Sequence, residues 1–160
     1  MRRWLLWFLV APQTYLLFGL LRDLGVPLDA TVLHCLFLAF FADRRALAGL
    51  LLGAALGRAL VDEAGLCVHL LVIGAPVALL LPLRSWFFGQ RWIWQATTAA
   101  LIAFAIPRLS GWIGDLFDQP STGAVFDGYV VLTSAIFLPP LLWCLRAVPP
   151  FSAFEEDEPQ

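Results

Sequence analysis

Six apolar runs, each closed by a short polar or turn-forming stretch, leave this chain few ways to fold. They cover residues 4–21, 28–41, 46–61, 66–83, 92–106 and 125–147. Burying all of them in water would take more polar surface than the chain owns. Hydrophobic residues make up 61% of its 160 positions and charged residues 14%, against about 45–50% and about 25% in soluble domains. Lipid is the solvent that fits. Where no water meets the backbone, a helix satisfies its own N–H and C=O groups. The expected class is therefore all-α: a polytopic membrane helix bundle with about six transmembrane helices. An unaided span needs about 20 residues to cross a ~30 Å hydrocarbon core. The second and third runs are shorter, and Asp43-Arg44-Arg45 prevents reading them as one. Residues 1–150 are expected to form one integral membrane domain. Residues 151–160, with Glu155-Glu156-Asp157-Glu158, are expected to be an acidic, disordered cytoplasmic tail.

Arginine supplies the orientation. In a six-span arrangement Arg2, Arg3, Arg44, Arg45, Arg84, Arg91 and Arg146 fall on one side, and Arg22, Arg58 and Arg108 on the other. The positive-inside rule makes the first side cytoplasmic, with both termini inside a bacterial inner membrane. The first run lacks the small-residue cleavage site of a signal peptide and is expected to be a retained span. Residues 107–123, with Gly111, Gly114, Pro120 and Gly123, read as the longest loop, its centre a short amphipathic piece on the outer surface. Trp4, Trp7, Trp86, Trp92, Trp94, Trp112 and Trp143 sit toward span ends, as interfacial anchors do. Cys35, Cys67 and Cys144 lie in or near apolar runs without Cys-x-x-Cys spacing, and read as buried apolar thiols.

The third run carries a distinctive pattern. Gly49, Gly53 and Gly57 recur every fourth residue, followed by Arg58, Asp62 and Glu63, then a glycine turn at Gly65. Small-xxx-small spacing lets two helices approach closely in lipid. Two readings stand: packing inside the bundle, or a groove for a partner helix. Arg58 and Asp62 share a helix face at i, i+4. They either end the third span as an interfacial pair or form part of an outer contact. His34 in the second run and His69 in the fourth read as bundle-facing hydrogen-bonding groups. Ionisable groups at membrane depth are also functional candidates by default. No catalytic constellation, metal-ligand spacing, dinucleotide turn or nucleic-acid patch is present in the sequence. The expectation is a non-enzyme without cofactor or metal, in contact with lipid and not with nucleic acid.

Several local patterns together resemble the bacterial rod shape-determining MreD family. They are the second run Pro27-Leu-Asp-Ala-Thr-Val-Leu-His-Cys-Leu-Phe-Leu-Ala-Phe-Phe, the basic turn Asp43-Arg44-Arg45, the pair Gly49-x-x-x-Gly53, Gly65 opening the next span, and Phe87-Phe-Gly-Gln-Arg-Trp-Ile-Trp94-Gln95. The resemblance covers most of the chain. It implies a non-enzymatic elongasome (rod complex) subunit that binds the transmembrane helix of MreC. Such a subunit acts with MreB, RodA and penicillin-binding protein 2 in cell shape and peptidoglycan synthesis. It also implies a fold like the substrate-binding S-components of energy-coupling-factor transporters, and an S-component-like transporter subunit is the alternative function. One departure stands out. The family places an acid one turn after the second glycine, where this chain has Gly57, and the acid comes later at Asp62.

Overall fold

The computed structural model describes residues 2–84, 92–120 and 128–155. Among these, the chain forms six α-helices: α1 (Arg2–Asp23), α2 (Ala30–Phe40), α3 (Leu47–Ala59), α4 (Leu66–Leu80), α5 (Trp92–Leu116) and α6 (Gly128–Arg146). A 3-10 turn, Leu81–Leu83, extends α4, and a second, Phe151–Phe154, follows α6. The protein is an all-helical bundle. Four units, Arg2–Asp23, Leu66–Leu83, Trp92–Leu116 and Gly128–Arg146, are long and apolar enough to cross a membrane. The Ala30–Phe40 and Leu47–Ala59 helices, of 11 and 13 residues, rise only ~16 and ~20 Å at 1.5 Å per residue.

The short α2 is the centre of the molecule. All eleven of its residues are buried, which suits a helix apolar on every side. Helices α1, α3, α4, α5 and α6 pack around it in that order, each against the next from α1 to α6. Asp29 starts α2 by accepting the Thr31 N–H at 2.7 Å, which satisfies one of the open donors of the first turn. The preceding turn closes α1 through Gly25, at φ +87°, with the Val26 N–H bonded to the Leu21 carbonyl.

Two sets of contacts tie the ends of the bundle. At one end the Arg84 guanidinium donates to the Ala42 carbonyl at 2.8 Å, and the Asp43 N–H donates to the Phe154 carbonyl at 2.8 Å. Arg146 pairs with Glu155 and lies over the Phe41 ring, while Arg3 lies over Phe154. At the other end Thr133 donates to the Pro27 carbonyl at 2.6 Å, and the Gln119 side chain accepts the Gly65 N–H at 3.2 Å. Arginine thus gathers at the first end, as the residue count from the sequence implies.

Several expectations are corrected. The tail is not disordered from residue 151: Phe151 and Phe154 are 1% exposed and pack on Trp7, and the Glu155 backbone bridges to Ala42. Residues 107–116 are not loop, because α5 runs through Pro107 to Leu116. Its buried stripe Thr98, Ile102, Ile106, Ser110, Gly114 keeps one helical face in contact past the proline. Trp7 is no interfacial anchor but a fully buried core residue, whereas Trp92, Trp94, Trp112 and Trp143 are exposed. Of the thiols only Cys35 is buried. Trp86, Arg91, residues 121–123 and 156–158, and the start of the 87–95 pattern lie outside the described residues.

A candidate polar recess inside the helix bundle

The glycine stripe is occupied by α1. A side chain at Gly49 would meet the Trp4 ring at 2.6 Å, and one at Gly53 would meet Trp7 Nε1 at 2.4 Å. At Gly57 the obstacle is backbone: Pro12 N and Cα at 3.0 Å and Ala11 C at 3.1 Å. Trp4, Trp7 and Pro12 advance along α1 as the glycines advance along α3, so the two helices run parallel and in register. Trp7 fixes the match by donating its indole N–H to the Leu50 carbonyl at 3.0 Å. Gly49, Gly53 and Gly57 are therefore internal packing positions, and no separate helix fits that groove. The Gly57 position leaves no room for an acidic side chain. Gly65 plays a different part: it caps α4 in an extended conformation and presents its N–H to Gln119.

This register sets the depth of the charged turn. Arg58 follows the Gly57–Pro12 contact directly, yet α1 runs on from Pro12 to Asp23, a further ~16 Å. Arg58 and Asp62 thus lie a few turns short of the C-terminal end of α1. Their side chains are 12% and 10% exposed, and Arg58 Nε meets Asp62 Oδ2 at 3.5 Å. A charge pair this shielded holds its geometry only with further polar partners.

The two histidines differ. His34 is fully buried and satisfied. Its Nδ1 lies 2.8 Å from the Ala30 carbonyl, which can only accept, so Nδ1 carries the hydrogen. In the neutral ring Nε2 then accepts from Thr14 Oγ1, 3.3 Å away, a hydroxyl that otherwise turns to the Ala11 carbonyl at 2.7 Å. Tyr15 stacks on the His34 ring at 5.0 Å and 6°, and Trp7 meets its edge at 5.8 Å. His34 is accordingly a structural residue joining α1 to α2. His69 on α4 is also fully buried, but neither ring nitrogen makes a hydrogen bond. The Ala64 carbonyl influences the ring without reaching hydrogen-bond geometry.

Around His69 the bundle gathers other groups with open valence. The Tyr15 hydroxyl on α1 and Arg58 Nη1 on α3 are both buried without a hydrogen-bond partner, although the Thr31 side chain approaches Tyr15. The Arg58 charge acts on both Tyr15 and His69, the Asp62 charge on His69 and the Asp29 charge on Tyr15. These buried polar groups come from three helices. Leaving a polar atom buried and unpaired costs about 1–3 kcal/mol, which makes Tyr15, Arg58 and His69 the candidate functional positions of the bundle. Among the described residues no three His, Cys, Asp or Glu side chains group as metal ligands.

The sequence reading singled out Arg58, Asp62 and His69, which the fold brings together, and His34, which it assigns to the α1–α2 seam. It passed over Tyr15, whose hydroxyl is the polar tip of an otherwise aromatic and aliphatic span, and Arg84, buried at 3% exposure at the opposite end. A hydroxyl inside an apolar run is a legible signal. Its convergence with residues on α3 and α4 is not. Comparison of the chain with protein-family models, with curated proteins and with solved structures returns no match.

Proposed function

We propose that this chain is a non-enzymatic membrane subunit of the bacterial elongasome, similar to MreD, that binds MreC in the inner membrane with both termini cytoplasmic. In this reading α2 and α3 complete a six-helix domain resembling energy-coupling-factor S-components, and MreB, RodA and penicillin-binding protein 2 form the wider complex. The observation that supports it is where the family-like residues lie. The Pro27–Phe41 stretch supplies the central helix, Asp43-Arg44-Arg45 the turn after it, and Gly49 and Gly53 the α1 seam. The Pro27–Phe41 and Gly49-x-x-x-Gly53 patterns occupy positions that the packing uses.

With the stripe filled by α1, MreC has to dock on a lipid-facing surface, such as the exposed side of α1 bearing Leu5, Leu9, Leu16 and Leu20. Co-purification from detergent-solubilised membranes tests the reading: MreC is expected to be retained, and deletion to widen the cells. Failure to retain MreC together with unchanged cell width refutes it. The S-component reading is favoured by the buried, unpaired polar atoms of Tyr15, Arg58 and His69. Against it stands the outward face of α1, where Gly19 is the small residue exposed among large ones and Ala11 points inward. A vitamin co-purifying at stoichiometric level would reverse the order of the two.

A further inference from the structure

Four guanidinium groups share the end of the bundle where α1 and α3 begin. Arg2 and Arg3 open α1, Arg44 and Arg45 lie in the turn that leads into α3, and all four are exposed. The two pairs are distant in sequence and joined by direct contacts. Arg3 lies over the Phe154 ring at 5.2 Å, the Phe154 carbonyl accepts the Asp43 N–H at 2.8 Å, and Asp43 Oδ1 accepts the Arg45 N–H at 2.9 Å. The parallel α1–α3 register acts to the same end. Trp4 lies against Gly49, so Arg45, just ahead of Gly49 in the chain, comes level with the start of α1. Among the described residues none of these four side chains forms an ion pair with a carboxylate. Asp43 is the acid in their midst, and one of its oxygens holds the Arg45 backbone; Glu155 is paired with Arg146.

The surface directly below these charges is apolar. Phe8 follows Arg2 along α1 by ~9 Å at 1.5 Å per residue. Its ring would touch a side chain at Gly53, 3.3 Å away, yet Phe8 stays 38% exposed, so it forms the outer floor of the α1–α3 seam. Leu52 and Leu56, the neighbours of Gly53 and Gly57, are 37% and 38% exposed beside the same seam. A basic rim thus stands over an open apolar strip.

We propose that the Arg2–Arg3–Arg44–Arg45 face binds an anionic phospholipid, its phosphate held by the guanidinium groups and an acyl chain laid along the Phe8–Leu52–Leu56 strip. The planar guanidinium fork matches the oxygens of a phosphodiester. Four positive charges against the one of Asp43 select a headgroup with net negative charge, and basic clusters at the end of a span attract such headgroups. A zwitterionic headgroup brings an ammonium of its own toward the arginines. A soluble polyanion would engage the arginines and leave the strip uncovered, whereas a phospholipid uses both. The proposal rests neither on MreC as a partner nor on which side of the membrane this end faces.

The test uses the whole protein, delipidated in a neutral maltoside detergent and titrated with phosphatidylglycerol, cardiolipin and phosphatidylethanolamine under native mass spectrometry. At least one of the two anionic lipids is expected to bind about tenfold or more tighter than phosphatidylethanolamine. The double variant Arg44→Gln/Arg45→Gln removes two exposed charges and keeps the backbone contact to Asp43; it is expected to weaken anionic binding about 30-fold. Arg22→Gln, an exposed arginine at the opposite end of α1, is expected to bind as the wild type does. Near-ultraviolet circular dichroism checks that both variants are folded. Glu156-Asp157-Glu158 follow in the sequence and lie outside the described residues. A wild type that binds no anionic lipid, as it would if those acids neutralised the arginines, overturns the proposal. So does phosphatidylethanolamine binding as tightly as both anionic lipids, or a folded double variant that loses no more affinity than Arg22→Gln.

Discussion

Replacing Gly53 by alanine tests the seam on which the bundle is built. The added methyl would lie 2.4 Å from Trp7 Nε1 and 2.6 Å from its Cδ1. Trp7 has nowhere to go. It is fully buried, its ring is held by Phe37, His34 and Phe151 at centroid distances of 5.6–5.8 Å, and its N–H is committed to the Leu50 carbonyl. Forcing a methyl into a packed contact costs about 1–3 kcal/mol. Moving the indole also weakens a buried hydrogen bond worth about 0.5–1.5 kcal/mol. Alanine's better helix propensity returns about 1 kcal/mol. The net expectation is a loss of about 1–3 kcal/mol. Gly19→Ala is the control, because nothing lies within 4 Å of the position. It keeps the propensity gain with no clash and is expected to be neutral or stabilising by up to about 1 kcal/mol. Denaturant unfolding in detergent, followed by tryptophan fluorescence, gives both values. If Gly53→Ala is as stable as the wild type, or if the two variants lose stability equally, the α1–α3 register described here is wrong.

Gly57→Ala faces backbone in place of a mobile side chain, so α1 and α3 must separate; it is expected to destabilise at least as much as Gly53→Ala, and Gly57→Glu to abolish accumulation of folded protein in the membrane, as immunoblotting of membrane fractions would show. Phe154→Ala removes a core aromatic at 1% exposure and is expected to cost about 3–5 kcal/mol. Phe117→Ala, at 47% exposure, is expected to stay within about 0.5 kcal/mol of wild type in the same unfolding assay. For orientation, an alkaline phosphatase reporter inserted at the Gly25 turn is expected to be active and one at Arg44–Arg45 inactive; the opposite pattern would invert the proposed topology.

The parts of this fold that local sequence could announce were announced. Runs of apolar residues marked all six described helices, Asp43-Arg44-Arg45 marked the break between α2 and α3, and the arginines sorted to one end. The misreadings share a cause. Gly111, Gly114 and Ser110 after Pro107 look like loop residues by the habits of water-soluble chains, but in a bundle small residues are contact positions, and Ser110 and Gly114 line the buried face of α5. Phe151 and Phe154 stand beside an acidic stretch, which disguised them as tail, yet their rings fill space under Trp4 and Trp7. The candidate site was half legible. Arg58, Asp62 and His69 declare themselves as charges and imidazole in apolar context, whereas Tyr15 acquires its meaning from residues more than forty positions away.

The sequence alone indicated an apolar solvent and placed six helices, while packing decided that α5 continues past Pro107 and that Phe151–Phe154 dock on the bundle. A chain this apolar leaves its backbone groups no partner except its own helix. What it left open was which helix the others surround and how deep the charges lie. Those were decided by shape across large sequence separations: Trp7 against the absent side chain of Gly53, 46 positions on, with its N–H reaching Leu50. That one fit aligns α3 with the N-terminal half of α1, and the alignment leaves Arg58, 12% exposed in its side chain, short of the end of α1. Packing, unlike backbone satisfaction, depends on pairs of residues that no local window contains.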